Sequence, residues 1–184
     1  MPKTVLVPIA DGTEEMEAVT IIDVLRRAGA EVTVASVAAG PQVEASRKVN
    51  LVADCLIGDC VNETYDLIAL PGGLPGAEYL RDCKPLIEML QSQKQAGRLY
   101  AAVCASPAVA LVPQGLLDVK KATCYPSCAD QLPDTSQADK RVVVDGNCIT
   151  SQGPGTVLEF ALALVRQLID ENTANEVGEG MLVQ

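Results

Sequence analysis

The residues best suited to chemistry lie in "AAVCASPA" (101–108), where an apolar run ends in Cys104. Small residues flank the sulfur, and Pro107 follows it. This is the layout of a nucleophile elbow, with Ala102 and Ser106 where such a turn needs small side chains. Pro107 suits a first helical turn, where a missing N–H costs nothing. A sulfur at a helix N-terminus feels the positive end of the dipole, which predicts a lowered Cys104 pKa. The other reading of this window is a buried structural thiol.

Three further features could serve such a sulfur. Glu17 could act as a carboxyl group that keeps its proton beside a thiolate and donates it to the sulfur. Its spacing faces the apolar stripe Met16, Val24 and Leu25 only partly, however, and an exposed helix acid is the commoner fate of a lone Glu. The Gly-Gly of "LPGGLPGA" (70–77) could aim backbone N–H groups at an anion, or could be an ordinary turn. "SQGPGT" (151–156) could bind an anion through N–H groups at the start of a helix, or could be a structural turn. Neither G-x-x-x-x-G-K-[ST] nor G-x-G-x-x-G occurs.

The sequence contains no histidine. That removes Cys-His and Ser-His-Asp mechanisms and every metal site built on imidazole. The seven cysteines are an odd number with irregular spacings. With an opening segment that does not read as a signal peptide, they predict reduced thiols in the cytoplasm. Cys55 with Cys60, or Cys124 with Cys128, could pair or hold a metal, but neither pair has C-x-x-C spacing. Cys83 and Cys148 receive no role. A net charge of −10 without a basic run argues against nucleic acid and against anionic membranes. No apolar stretch approaches the about 18 residues of a spanning helix.

The elements that must position these residues alternate. Strands are expected over 4–10, 31–37, 66–73 and 98–103. Helices are expected from Thr13 as N-cap to Gly29, over 84–97, from "SPAVALV", and over 155–170, with a short one over 173–183. "KATCY" (121–125) could be a short strand, and "RVVVDGNCITS" (141–151) is a hairpin with "DG" at its turn. Strand, helix, strand with short links means right-handed crossovers and a parallel sheet. The composition, 48% hydrophobic and 3% aromatic, is that of strands buried on both faces. The 184 residues read as a single α/β domain, 1–184, of three layers. In open parallel sheets ligands bind beyond the carboxyl ends of the strands. Asp11–Glu17, Gly72–Gly73 and Cys104 all follow such ends.

Taken in order, "ADGTEEMEAV", "DVLRRAGAEVTVASV", "ASRKV", "YDLIALPGG", "AAVCASPA", "TSQGPGT" and "EFALALV" resemble the ThiJ/PfpI family. The branch is that of the parkinsonism-associated protein deglycase and its bacterial relatives. The resemblance covers nearly the whole chain. It implies a flavodoxin-like three-layer α/β/α sandwich with a mostly parallel sheet, usually a homodimer. It implies that Cys104 is the reactive cysteine and that Glu17 is the protonated glutamate bonded to its sulfur. Gly73 and Ala105 match the anion-binding backbone groups. Arg47 matches the arginine of the family's "SR" motif, and Asp23 and Arg27 match interface-proximal positions. Several members place a histidine near the cysteine where this sequence has Tyr125, which counts against an imidazole base.

The activity implied is a cofactor-free, metal-free glyoxalase or deglycase. It would act on a small aldehyde, methylglyoxal or glyoxal, and protect against carbonyl and oxidative stress. The alternative is a redox sensor and chaperone of client proteins, with Cys104 oxidised to a sulfinic acid.

Overall fold

The computed structural model describes residues 1–183. Strands β1 (Thr4–Ile9), β2 (Glu31–Ser36), β5 (Cys55–Leu56), β6 (Leu67–Leu70), β7 (Leu99–Val103), β8 (Val142–Asp145) and β9 (Cys148–Ser151) form one sheet in the order β5-β2-β1-β6-β7-β9-β8. All pairings are parallel except the β8–β9 hairpin. The "DG" turn therefore lies where the sequence places it. A separate hairpin joins β3 (Gln42–Glu44) to β4 (Asn50–Val52).

Each central strand is apolar on both faces because both are covered. Val5, Val7, Leu67, Ala69, Ala101 and Val103 pack against helices α1 (Glu15–Arg27) and α4 (Val157–Leu168). The alternate residues Leu6, Ile68, Leu70, Tyr100 and Ala102 pack against α2 (Gly76–Asp82) and α3 (Lys84–Ala96). A last helix, α5 (Glu171–Gly180), lies against α4. The result is the three-layer α/β domain that the alternation of elements implies, in the flavodoxin-like form that the family resemblance implies. After β1 the chain moves to β2 on one side, and β6 later adds on the other. The crevice of such a reversal opens beyond the carboxyl ends of β1 and β6.

Several local expectations are corrected. Glu14, not Thr13, caps α1, its side chain accepting from the Glu17 N–H at 2.8 Å. Thr13 instead closes the preceding turn, its Oγ1 accepting from the Ala10 N–H at 2.9 Å. "KATCY" forms no strand, because β7 and β8 already occupy both edges of β9. Thr123 there donates its N–H to the Thr150 Oγ1 at 3.0 Å. The segment after Cys104 is no long α-helix but a wide helical turn, Pro107–Leu111, continued as a 3-10 turn, Val112–Gln114. Elements α2, β3, β4 and β5 are unanticipated, being two to seven residues long and too short for a periodic signal. Among the described residues no helix is long and apolar enough to cross a membrane.

Candidate active site

Cys104 leaves the end of β7 with φ 63°, in the left-handed region. A non-glycine residue there costs about 1–3 kcal/mol and persists only when its surroundings impose it. Here they do. The Cys104 N–H donates to Ser151 O at 3.0 Å, continuing the β7–β9 ladder, and its carbonyl accepts from the Tyr125 N–H at 2.7 Å. Ser106, fully buried, donates its Oγ to Pro71 O at 2.6 Å and ties the elbow to the turn after β6. The strained geometry directs the sulfur over that turn.

Glu17 overturns the reading of an exposed helix acid. It is 0% exposed, whereas Met16, assigned to the apolar stripe, is 60% exposed. The turn after β6 crosses over the start of α1 and covers this side chain. Its backbone holds the carboxyl group directly. The Gly72 N–H donates to Glu17 Oε2 at 2.7 Å, and Gly72 O accepts from the Glu14 N–H at 2.9 Å. The other oxygen, Oε1, is buried with no hydrogen-bond partner within ordinary geometric limits. The carboxyl group as a whole lies beside the Cys104 thiol and interacts with it.

Gly72 makes that approach possible. A Cβ on it would sit 2.5 Å from Cys104 Cβ and 2.9 Å from both Glu17 Oε2 and Val103 O. Gly73 has φ 92°, and its N–H and that of Ala105 are directed at the sulfur. On the far side, a Cβ at Gly153 would lie 3.9 Å from Cys104 Sγ and 3.4 Å from the Tyr125 ring. "SQGPGT" thus walls the sulfur instead of offering N–H groups to an anion. Its Gly153 N–H is spent on Thr156 Oγ1 at 3.0 Å, and Pro154 has none to give. Tyr125 is 46% exposed and forms the outer rim of this wall.

The ionisation of the pair differs from the sequence expectation. Burial pushes the Glu17 carboxyl up to about 7, against the Gly72 N–H, which lowers it; the nearby Glu14 charge adds to the rise. Burial and then the Glu17 charge push the Cys104 thiol up to about 12, outweighing the N–H groups of Gly73 and Ala105. The lowered pKa expected from the elbow is therefore opposed by desolvation, and the short turn at Pro107 supplies little dipole. The two groups must be treated together. When Glu17 carries the proton, its charge no longer opposes the thiolate and its O–H can donate to the sulfur. Near pH 7 the thiol is protonated and the carboxyl sits close to its midpoint, so a thiolate is favoured only while Glu17 keeps its proton.

The remaining candidates lie further out. Arg47 is exposed in the β3–β4 loop, its guanidinium donating to Ser46 O at 3.2 Å. That loop is held by Glu15, which the sequence reading missed. Its carboxylate accepts from Ser46 Oγ and the Arg47 N–H, both at 2.8 Å. Asp23 and Arg27 form a half-exposed ion pair of 2.7 Å on α1. Arg27 lies about 15 Å along the helix from Glu17, at about 1.5 Å per residue. Neither residue belongs to the Cys104 site. Among the described residues no group of three or more His, Cys, Asp or Glu side chains could hold a metal ion.

The chain is 51% identical over 179 residues to Protein DJ-1 homolog B of Arabidopsis thaliana, covering 97% of this chain and 41% of that protein. It likewise covers 47% of the length of the Arabidopsis homolog A, so it spans about half the length of these plant relatives or less. A Caenorhabditis elegans relative, described as glutathione-independent glyoxalase DJR-1.2, is 35% identical over 175 residues, covering 94% of this chain and 91% of its own. The solved structure of oxidized Toxoplasma gondii DJ-1 superposes with a TM-score of 0.95 at 49% identity, covering 98% of both chains. Residues 3–167 match the DJ-1/PfpI family, and the chain belongs to that family.

Proposed function

We propose that this protein is a cofactor-free glyoxalase in which Cys104 is the nucleophile and Glu17 the proton carrier. The observation that carries the reading is the buried Glu17 carboxyl, held by the Gly72 N–H beside the Cys104 thiol. The name of the C. elegans relative supports the same chemistry. The Cys104 thiolate attacks the aldehyde carbon of methylglyoxal and forms a hemithioacetal. The Gly73 and Ala105 N–H groups then hold the oxyanion that develops. Glu17 takes the proton from that carbon and returns one to the neighbouring carbon, leaving a thioester. Water hydrolyses the thioester to lactate and restores the thiol. With glyoxal the product is glycolate. Aldehyde adducts of amines offer the same carbon, and deglycation is the corresponding reaction on them. The purified protein should form lactate from methylglyoxal without glutathione or added metal. Lactate formation no faster than with Cys104→Ser would overturn the assignment.

The redox reading has its own support. The Toxoplasma relative, with 49% identity, is described as oxidized. A Cys104 sulfinic acid would accept from the same N–H groups and from the Glu17 O–H, so one constellation serves turnover and oxidation, and client binding would follow the oxidised state.

We further propose a homodimer through the outer face of α1 and the adjoining β3–β4 hairpin. Met16 and Val19 on the helix are 60% and 50% exposed, and Val49 and Val52 on the hairpin are 47% and 69% exposed. Glu15 ties the hairpin to the helix, so these side chains share one side of the molecule. Ile21, Val24 and Leu25 of the same helix are fully buried within the chain and are not available to a partner. Light scattering at micromolar concentration should give twice the chain mass, and Val19→Asp should give the chain mass. A wild-type monomer would count against this interface.

A further inference from the structure

Outside the Cys104 site, a second pair of thiols is in contact. The Cys55 and Cys60 sulfurs lie 3.5 Å apart. Cys55 is partly exposed on β5, the edge strand, where it pairs with Ala35. Cys60, 2% exposed, ends the 3-10 turn Ile57–Cys60 that follows. The backbone around both is clamped. Asp54 accepts from the Val34 N–H at 2.9 Å and from Arg26 at 3.3 Å, and the Leu56 N–H donates to Asp59 at 3.2 Å. The buried Tyr65 closes the far side, its hydroxyl toward Cys60. Cys124 and Cys128 are arranged differently, their sulfurs directed at Tyr125 O and at the Ser127 hydroxyl.

We propose that Cys55 and Cys60 form a second redox site, at which a hydroperoxide drives formation of an intramolecular disulfide. The Cys55 sulfur, the accessible one, attacks the peroxide and breaks its O–O bond. Cys55 becomes a sulfenic acid, and its thiol proton leaves on the departing oxygen, as water when the oxidant is hydrogen peroxide. The Cys60 sulfur then attacks the sulfenic sulfur. The S–S bond forms, the S–O bond breaks, and the hydroxyl leaves with the Cys60 proton as a second water. The two thiols supply the two electrons that reduce the peroxide.

Geometry favours this over escape to other partners. A disulfide needs its sulfurs about 2.05 Å apart, so about 1.5 Å of closure suffices from the 3.5 Å contact. A resolving thiol held this close acts at a very high effective concentration. Burial, the Cys60 contact and the charges of Asp59 and Asp54 push the Cys55 thiol up to about 11. Cys55 is therefore mostly protonated at neutral pH and reacts slowly. The disulfide, once made, has poor leaving groups and persists. The site suits sustained oxidant exposure, not rapid peroxide turnover. It also acts independently of Cys104. Three strands separate β5 from β7, which at about 4.8 Å per strand puts the two centres about 19 Å apart.

The test uses the full chain carrying Cys104→Ser, so that the result stands apart from the proposed enzyme chemistry. Tryptic cleavage after Lys48 and Arg81 leaves one peptide holding Cys55 and Cys60 and no other cysteine. After graded hydrogen peroxide and alkylation, this peptide should appear two hydrogens lighter and unalkylated, and dithiothreitol should restore both thiols. With Cys60→Ser added, Cys55 should stop at a sulfenic acid that dimedone traps. The proposal fails if both thiols are still alkylated after prolonged exposure to a large excess of hydrogen peroxide. It fails equally if either thiol is found joined to another cysteine or to a second chain.

Discussion

Glu17→Gln should lose methylglyoxal turnover by at least tenfold while keeping its fold. The amide can reproduce the geometry of the acid. Its oxygen can accept from the Gly72 N–H, now 2.7 Å from Glu17 Oε2, and its NH₂ can face the Cys104 sulfur. What it lacks is a proton to give up and take back. General acid–base groups contribute about 10²–10⁴-fold to rate, so a loss in that range is expected. Cys104→Ser should remove turnover entirely.

Stability gives Glu17→Gln a second readout with a defined sign. The Glu17 carboxyl is raised from 4.5 to about 7 in the folded chain, chiefly by burial. Between those values the unfolded chain releases this proton and the folded chain keeps it, so wild-type stability falls as pH rises through that window. Above about 7 both states are ionised and no further loss accrues. Glutamine has no such ionisation. The melting temperature of Glu17→Gln relative to wild type should therefore climb from pH 4.5 to about 7 and then level. Wild-type turnover in Glu17→Gln would remove Glu17 as the proton carrier, and a flat stability difference would place the raised pKa elsewhere.

Gly72→Ala should damage stability and chemistry together. Its new methyl would lie 2.5 Å from Cys104 Cβ and 2.9 Å from Val103 O. Neither is the far end of a flexible side chain. Both belong to the elbow that β9 and Tyr125 already pin, so relief must come from moving the turn or the sulfur. Overpacking of this kind costs about 1–3 kcal/mol. For a chain of this size that lowers the melting temperature by roughly 2–12 °C, at about 2–4 °C per kcal/mol. The chemical loss should be larger, because a misplacement of about 1 Å can cost about 10²-fold in rate. Calorimetry and a lactate assay on the same preparation read both effects. A variant that matches wild type in both would mean the turn has slack that the distances deny.

Much of this protein is written locally. The β-branched runs, the capped helices and the "DG" hairpin lead to the α/β sandwich, because each is a short-range signal that three-layer packing reinforces. The elbow is legible too. Only small residues fit beside a strained nucleophile, and Ala102, Ala105 and Ser106 are small. The absence of histidine narrows the chemistry before any fold is known.

Tertiary structure alone decided the rest. Helical periodicity placed Met16 inside and left Glu17 half out, yet their burial is the reverse. Burial on α1 depends on what crosses its first turn, and Gly72, 55 residues away, is what crosses it. The same distance in sequence hides the steric demand on Gly72, which reads as an ordinary turn glycine until Cys104 is brought against it. The lowered thiol pKa inferred from the elbow is a local expectation, and desolvation, a property of the assembled core, opposes it. Cys55 and Cys60 carry no recognised spacing. Their contact comes from an edge strand of two residues running into a 3-10 turn, elements too short to announce themselves in sequence and held in place only by the sheet they join.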